Sequence, residues 1–197
     1  LVAIFKFSNA GGFGTFQRYN DFLAGNPAVN LDNGSYFPLG EVTVTSGNPT
    51  EVVFSNIPQT YTHLQVRAIA AKASSADWAY VTFNGDGGAN YARHQLAGNG
   101  STTSASGTAS GASMLGLVAP SSTSNFGVGV IDILDYRNTN KYKTMRSLSG
   151  HDLNGSGEVS LTSGVWMNTA AITSIRFGTS SGGYSAGTYF ALFGVLA

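Results

Sequence analysis

His63-Leu64-Gln65-Val66-Arg67-Ala68 decides the fold class. Leu64, Val66 and Ala68 hold every second position, and His63, Gln65 and Arg67 fill the gaps. Successive side chains of a strand point to opposite faces, so this pattern is a strand with one face buried. The same alternation spreads outward along the chain. Glu41-Val42-Thr43-Val44-Thr45 puts Val42 and Val44 on one face, and Val52 and Phe54 repeat the pattern after the turn Ser46-Gly47-Asn48-Pro49. Trp78-Ala79-Tyr80-Val81-Thr82-Phe83 runs into Asn84-Gly85-Asp86-Gly87-Gly88, a strong turn signal. Further segments run from Tyr91 to Leu96, Met114 to Val118, Phe126 to Tyr136, Lys141 to Leu148, Glu158 to Trp166, Ile172 to Phe177 and Thr188 to Val195. About ten strands at this spacing, with no strand–helix–strand alternation, predict an all-β, antiparallel β-sandwich or jelly roll.

Composition narrows the function classes. Of 197 residues, ten are basic and ten acidic, so the formal net charge is zero. A charged fraction of 10% is well under the roughly 25% of an ordinary soluble domain. Aromatic residues make up 12%, too many for a disordered chain. There is no basic excess or stripe to hold nucleic acid. There are no cysteines, hence no disulfides and no thiolate metal site. No apolar run approaches the ~18 residues of a spanning helix, and Leu1 to Phe7 is too short for a signal-peptide core, so no membrane partner is expected. A neutral surface resists self-association weakly, which favours a homo-oligomer or a larger assembly.

Three zones follow. Residues 1–38 read as an extended arm with a short helix, and 39–197 as the β-domain. Within it, 99–113 is a low-complexity Gly/Ser/Thr/Ala stretch expected to form a linker or exposed loop. In the arm, Phe16, Tyr19, Phe22 and Leu23 fall on one stripe of a helix over 16–24, which Gly25 ends and Pro27 cannot continue. Nine residues are marginal alone, so this stripe must dock, either on its own domain or on a neighbouring subunit.

Catalytic signatures are weak throughout. His63, His94 and His151 lie far apart, without metal-ligand spacing, and no Gly-x-Ser-x-Gly elbow occurs. Asn84-Gly85-Asp86-Gly87-Gly88 has too few carboxylates for a calcium loop. A glycosidase needs two facing carboxylates. Asp132 and Asp135, three apart on a strand, point to opposite faces. Asp132, if inward, should meet Arg146 or Lys143, and Asp135 should cap the turn before Asn138. No Gly-rich loop opens a helix to cradle phosphate. No enzyme activity and no cofactor are therefore expected. Trp78, Tyr80, Tyr91, Trp166 and Tyr184 are amphipathic rings that either stack on sugars or pack in a core or interface.

Several segments, taken together, resemble a known family. They are Phe54-Ser55-Asn56-Ile57-Pro58-Gln59-Thr60-Tyr61-Thr62-His63-Leu64-Gln65-Val66-Arg67, Phe83-Asn84-Gly85-Asp86 with Asn90-Tyr91, Ile131-Asp132-Ile133-Leu134-Asp135-Tyr136 with Asn140-Lys141-Tyr142-Lys143-Thr144, Trp166 with Ile172-Thr173-Ser174-Ile175, and Ser185-Ala186-Gly187-Thr188-Tyr189-Phe190-Ala191-Leu192-Phe193-Gly194. Over roughly residues 40–197 the chain resembles virion structural proteins of tailed bacteriophages, of the head-decoration or minor-tail kind. That resemblance implies a small jelly-roll-like module, a homotrimer, located on the particle and partnered by the major capsid protein or by tail proteins. It carries no active-site residues. On this reading Phe5, Phe7, Phe13, Phe16, Tyr19, Phe22 and Leu23 dock the arm on the shell or on neighbouring subunits. The rival expectation is a tail or fibre protein that reads a host glycan through the five rings named above.

Overall fold

A computed structural model describes residues 36–196. The chain divides into two compact units, Leu1–Phe37 and Pro38–Ala197. The expected helix over 16–24 and the arm residues Phe5, Phe7, Phe13, Phe16, Tyr19, Phe22 and Leu23 lie outside the described residues.

The described residues form twelve strands, β1 (Tyr36–Thr43), β2 (Glu51–Phe54), β3 (His63–Ala70), β4 (Asp77–Phe83), β5 (Tyr91–Gly98), β6 (Thr103–Gly111), β7 (Met114–Ala119), β8 (Gly127–Leu134), β9 (Lys143–Asp152), β10 (Gly157–Trp166), β11 (Ile175–Gly178) and β12 (Tyr189–Val195). They make a large sheet in the order β1-β12-β3-β8-β9-β10-β5-β6 and a small sheet in the order β2-β11-β4-β7. This is an all-β sandwich.

The order has a simple origin. Set aside β1, β9, β10 and β12 and number the remaining eight strands along the chain. They then pair 1-8-3-6 in one sheet and 2-7-4-5 in the other, which is the jelly-roll order. β9 and β10 are a hairpin inserted between the seventh and fourth of those strands. It closes through Leu153, whose N–H donates to Ser156 O at 2.7 Å, with Asn154 (φ 58°) and Gly155 (φ 112°) at the tip. Positive φ at both central residues is what a tight hairpin needs, and Asn-Gly supplies it cheaply. The predicted turn at Asn84-Gly85 forms for the same reason, with φ of 53° and 69°.

Between the sheets the core follows the predicted alternation. Leu64, Val66, Ala68 and Ala70 of β3 face inward, and Ile131 and Ile133 of β8 join them. Phe177 of β11 packs on Phe190 of β12 with ring centres 4.8 Å apart. The inserted hairpin is different. Toward its turn the inward positions are Ser147 and Ser149 on β9 and Ser160 and Thr162 on β10, all buried and paired Ser147–Thr162 and Ser149–Ser160 in register, while Met145 and Trp166 at its other end join the apolar core.

One expectation is corrected. Residues 99–113 are not a loop, because 103–111 is β6, paired antiparallel with β5. Asn99 starts the reversal by accepting the N–H groups of Ser101 and Thr102 at 3.0 and 2.9 Å. Ser, Thr, Ala and Gly bring no apolar face, so the alternation that reveals strands is absent here. Backbone pairing to β5 holds the segment instead. β6 forms one edge of the large sheet and is exposed along most of its length.

Candidate functional site

Converging acids, bases and nucleophiles would mark an active site. Among the described residues no three of His, Asp and Glu gather closely enough to hold a metal ion. His63 Nδ1 accepts the backbone N–H of Asp135 at 2.9 Å and is thereby a structural acceptor. His94 is exposed on β5. His151 stands directly across from Glu158 in the β9–β10 register, facing inward. His151 Nδ1, Glu158 Oε1, Ser149 Oγ and Thr162 Oγ1 are all buried without a hydrogen-bond partner. No hydrogen bond links the imidazole to a hydroxyl, so no nucleophile–base relay is assembled.

The carboxylates are occupied structurally. Asp132 lies on the outer face of the large sheet, and of the two cations expected for it, it meets Arg146. Its Oδ2 is 3.4 Å from Arg146 Nη2, and its Oδ1 accepts from Gln65 Nε2 at 2.9 Å. Lys143 is buried and donates to the carbonyls of Lys141 and Thr169, both at 2.9 Å, so it does not meet Asp132. Asp135 makes its turn through the backbone, its carbonyl accepting the Asn138 N–H at 2.9 Å, and its side chain pairs with Lys141. The hydrogen bond from Lys141 holds the Asp135 carboxyl below the usual range. Asp86 accepts Trp166 Nε1–H at 2.7 Å, Gly88 N–H at 2.9 Å and Asn90 Nδ2 at 3.0 Å. The indole bond first, then the Gly88 amide, pull its pKa below the ordinary value.

The five rings named as sugar platforms do not act together. Tyr91, Trp166 and Tyr184 are buried, which corrects their assignment as stacking residues: a ring inside the core has no face to offer a ligand. Tyr91 and Trp166 stack on each other at 6.4 Å between centres, and Phe83 meets Trp166 edge-on at 5.7 Å. Burial pushes the Tyr91 phenol up to about 12. Tyr184 packs edge-on against Phe190 at 5.4 Å. Only Trp78 and Tyr80 of β4 are partly exposed, and the Tyr80 hydroxyl is held by Asp77 at 2.9 Å.

The distinctive surface is the outer face of the large sheet. Strand register lays its side chains out in rows that cross β12, β3, β8, β9, β10 and β5 in turn. One row reads Tyr189, Ile69, Val128, Gly150, Val159, Gly98. The next reads Ala191, Arg67, Val130, Leu148, Leu161, Leu96, and the third Phe193, Gln65, Asp132, Arg146, Ser163, His94. From β8 to β5 the first two rows are aliphatic or glycine and open to solvent, and on β3 the exposed Ile69 is followed by Arg67, the one charge in these rows. Val159 is 59% exposed, Leu148 58%, Leu96 56% and Val128 55%. An open groove of about 500 Å³ runs along them, floored near Gly150 and bordered by Val128, Leu148 and Val159. Gly150 leaves a dip because a Cβ there would come within 2.8 Å of the Glu158 carbonyl oxygen.

The third row is mostly polar, Gln65, Asp132 and Arg146 in it are linked to one another, and Arg67 of the second row is tied to it. Arg67 Nε donates to Gln65 Oε1 at 2.9 Å, and the Arg67 guanidinium lies 5.3 Å from the centre of the Phe193 ring. The sheet face is thus a hydrocarbon band with a charged rim whose charges are already engaged. Sequence reasoning missed it. The readable signal was parity: counting back in twos from the inward Trp166 puts Thr162 and Ser160 inside, and Leu161 and Val159 outside.

Comparison with known proteins adds no relative: no protein-family model, no curated protein and no solved structure matches this chain.

Proposed function

We propose that this protein is a structural component of a tailed-bacteriophage particle, a head-decoration (cement) protein that works by binding and transforms no molecule. The observation that carries the adhesive part of this reading is the aliphatic band across β3, β8, β9, β10 and β5. Seven of its side chains, Ile69, Val128, Val130, Leu148, Val159, Leu161 and Leu96, are each at least 41% exposed. Contiguous apolar surface of this extent on a soluble domain marks an interaction site. The virion assignment rests on the segment resemblance described above. In this reading the sheet face joins subunits, and Phe5, Phe7, Phe13, Phe16, Tyr19, Phe22 and Leu23 of the arm grip the capsid shell.

A test uses phage heads that lack the protein. Purified full-length chain should co-sediment with them and raise their resistance to heat. A chain without residues 1–30 should stay free in solution while keeping its β-sheet circular dichroism signal. Full decoration by the truncated chain would refute the arm's role, and no binding of the intact chain would refute the head assignment.

The rival, a tail or fibre protein that reads a host glycan, draws support from Trp78 and Tyr80, two partly exposed aromatics two positions apart on β4. Immunogold label on the tail rather than the head would favour it.

A further inference from the structure

We infer that the outer face of the large sheet packs against the same face of a second copy of this chain, about a twofold axis that runs along the strands between β8 and β9. This rests on the adhesive reading above and names the partner of that face.

The register makes the face self-complementary about that axis. A rotation that exchanges β8 with β9 keeps each row on itself and swaps the residues across it. Val128 then sits over the Gly150 dip of the second copy, and Val130 sits over its Leu148. Asp132 sits over its Arg146, and each contact occurs twice. A protrusion meets a recess, aliphatic meets aliphatic at Val130–Leu148 and Ile69–Val159, and acid meets base; Leu161 comes over Arg67, whose guanidinium stays held by Gln65 and against Phe193. An isologous contact has to satisfy these conditions with one surface alone.

Size agrees. The seven exposed aliphatic side chains present on the order of 600 Å² of apolar surface, the upper end for a monomer's largest patch. With the polar row added, the face reaches about the 800 Å² that each partner gives to a standard stable interface. Two twisted sheets packed face to face sit about 10 Å apart with strands within about 30° of each other, which this geometry permits.

Charge points the same way. A nucleic acid or an acidic partner would need unengaged cations on the face. Arg146 is paired with Asp132, and Arg67 is bonded to Gln65 and set against Phe193. The inserted hairpin adds an argument from polarity: it turns hydroxyls inward and Leu148, Val159 and Leu161 outward. Those aliphatics leave about half of their surface in water in one copy, Leu148 58%, Val159 59% and Leu161 46%, and gain further when covered.

Light scattering on the intact chain tests this. The mass should be twice 20.4 kDa. Leu148→Lys should raise the dissociation constant on the order of 100-fold, the loss expected when a central anchor is replaced by a charge. Asp132→Arg should weaken association about tenfold, and Asp132→Arg with Arg146→Asp should restore it. All three positions are solvent-facing, and an unchanged melting curve at high dilution shows that each variant folds. A wild-type mass of one chain overturns the inference, and a mass of three chains replaces the twofold contact with the threefold one that the resemblance implies. A dimer that Leu148→Lys leaves intact, or a double variant that stays dissociated, also overturns it. Head binding measured in parallel separates this outcome from failure of the decoration reading: a monomer that still coats heads sinks only the twofold contact.

Discussion

Two neighbouring parts of one sheet obey opposite rules. In β3 and at the C-terminal end of β8 the inward residues are Leu64, Val66, Ile131 and Ile133, and the outward ones include Gln65, Arg67 and Asp132. In the half of β9 and β10 nearest their turn the inward residues include Ser147, Ser149, Ser160 and Thr162, and the outward ones include Leu148, Val159 and Leu161, while Met145 and Trp166 at the other end of the hairpin join the apolar core. The first part is built for a folded monomer, where hydrophobic burial supplies most of the stability. The second part gives its aliphatic surface to the outside and leaves hydroxyls in the core. It sits in the hairpin that interrupts the jelly-roll order. That hairpin thus carries an exposed aliphatic face over a partly polar interior.

The contrast can be broken by substitution. Ile131→Ala strikes the conventional part, where the side chain is fully buried. It should lower unfolding free energy by about 2–5 kcal/mol in urea melts, the range for large-to-small changes in a packed core. A loss below about 1 kcal/mol would mean that β8 is not core.

Thr162→Val strikes the inverted part with the sign reversed. Thr162 Oγ1 is buried with no partner, and a stranded buried hydroxyl costs about 1–3 kcal/mol of desolvation. Replacing it with a methyl of nearly the same shape should raise stability by about 1 kcal/mol, read as a higher urea midpoint at unchanged slope. Destabilisation would show that a water or another group satisfies that hydroxyl.

The smallest effect is at the end of β10 far from the hairpin turn. Trp166, at the end of β10, donates its indole N–H to Asp86 in the turn between β4 and β5. The Asp86 carboxyl titrates below its ordinary 3.8 in the folded protein. Its stabilisation is therefore complete above that value and fades as pH falls through the depressed folded value. Melting temperature should drop below pH 4 in the wild type and drop less steeply in Asp86→Asn. Parallel acid curves for the two proteins would remove Asp86 from the acid transition.

Much of this was legible from residues alone. Alternation in His63–Ala68, the Asn84-Gly85 turn and the closing segment from Thr188 gave the sandwich, because burial on one side imposes a period of two. The pairing of Asp132 with Arg146 is readable from the sequence but its side of the sheet is not, since a salt bridge between adjacent strands looks the same from either face. β6 was missed because strand recognition rests on contrast between apolar and polar residues, and Thr103–Gly111 has none. The adhesive face was missed for a different reason. Alternation tells which residues share a side but not which side is in, and in Val159–Leu161 the aliphatic set belongs to the outside. Of the five rings that could stack on sugars, three are core: Trp166 and Tyr91 bury with their polar tips partnered, by the Asp86 carboxylate and the Asp86 carbonyl at 2.9 Å, and Tyr184 buries by packing on Phe190 with its hydroxyl unpartnered.

β6 has a consequence for how copies add up. It carries no charge and no proline, the usual guards of a strand that ends a sheet. If two such borders met each other, growth would stop at a pair. If the border met the β1 side of the next molecule, the union would repeat without limit, since head-to-tail joins close only when rotation brings them round. What β6 offers a neighbour is therefore backbone alone, since its run of serine, threonine, alanine and glycine has side chains too slight to add an anchor.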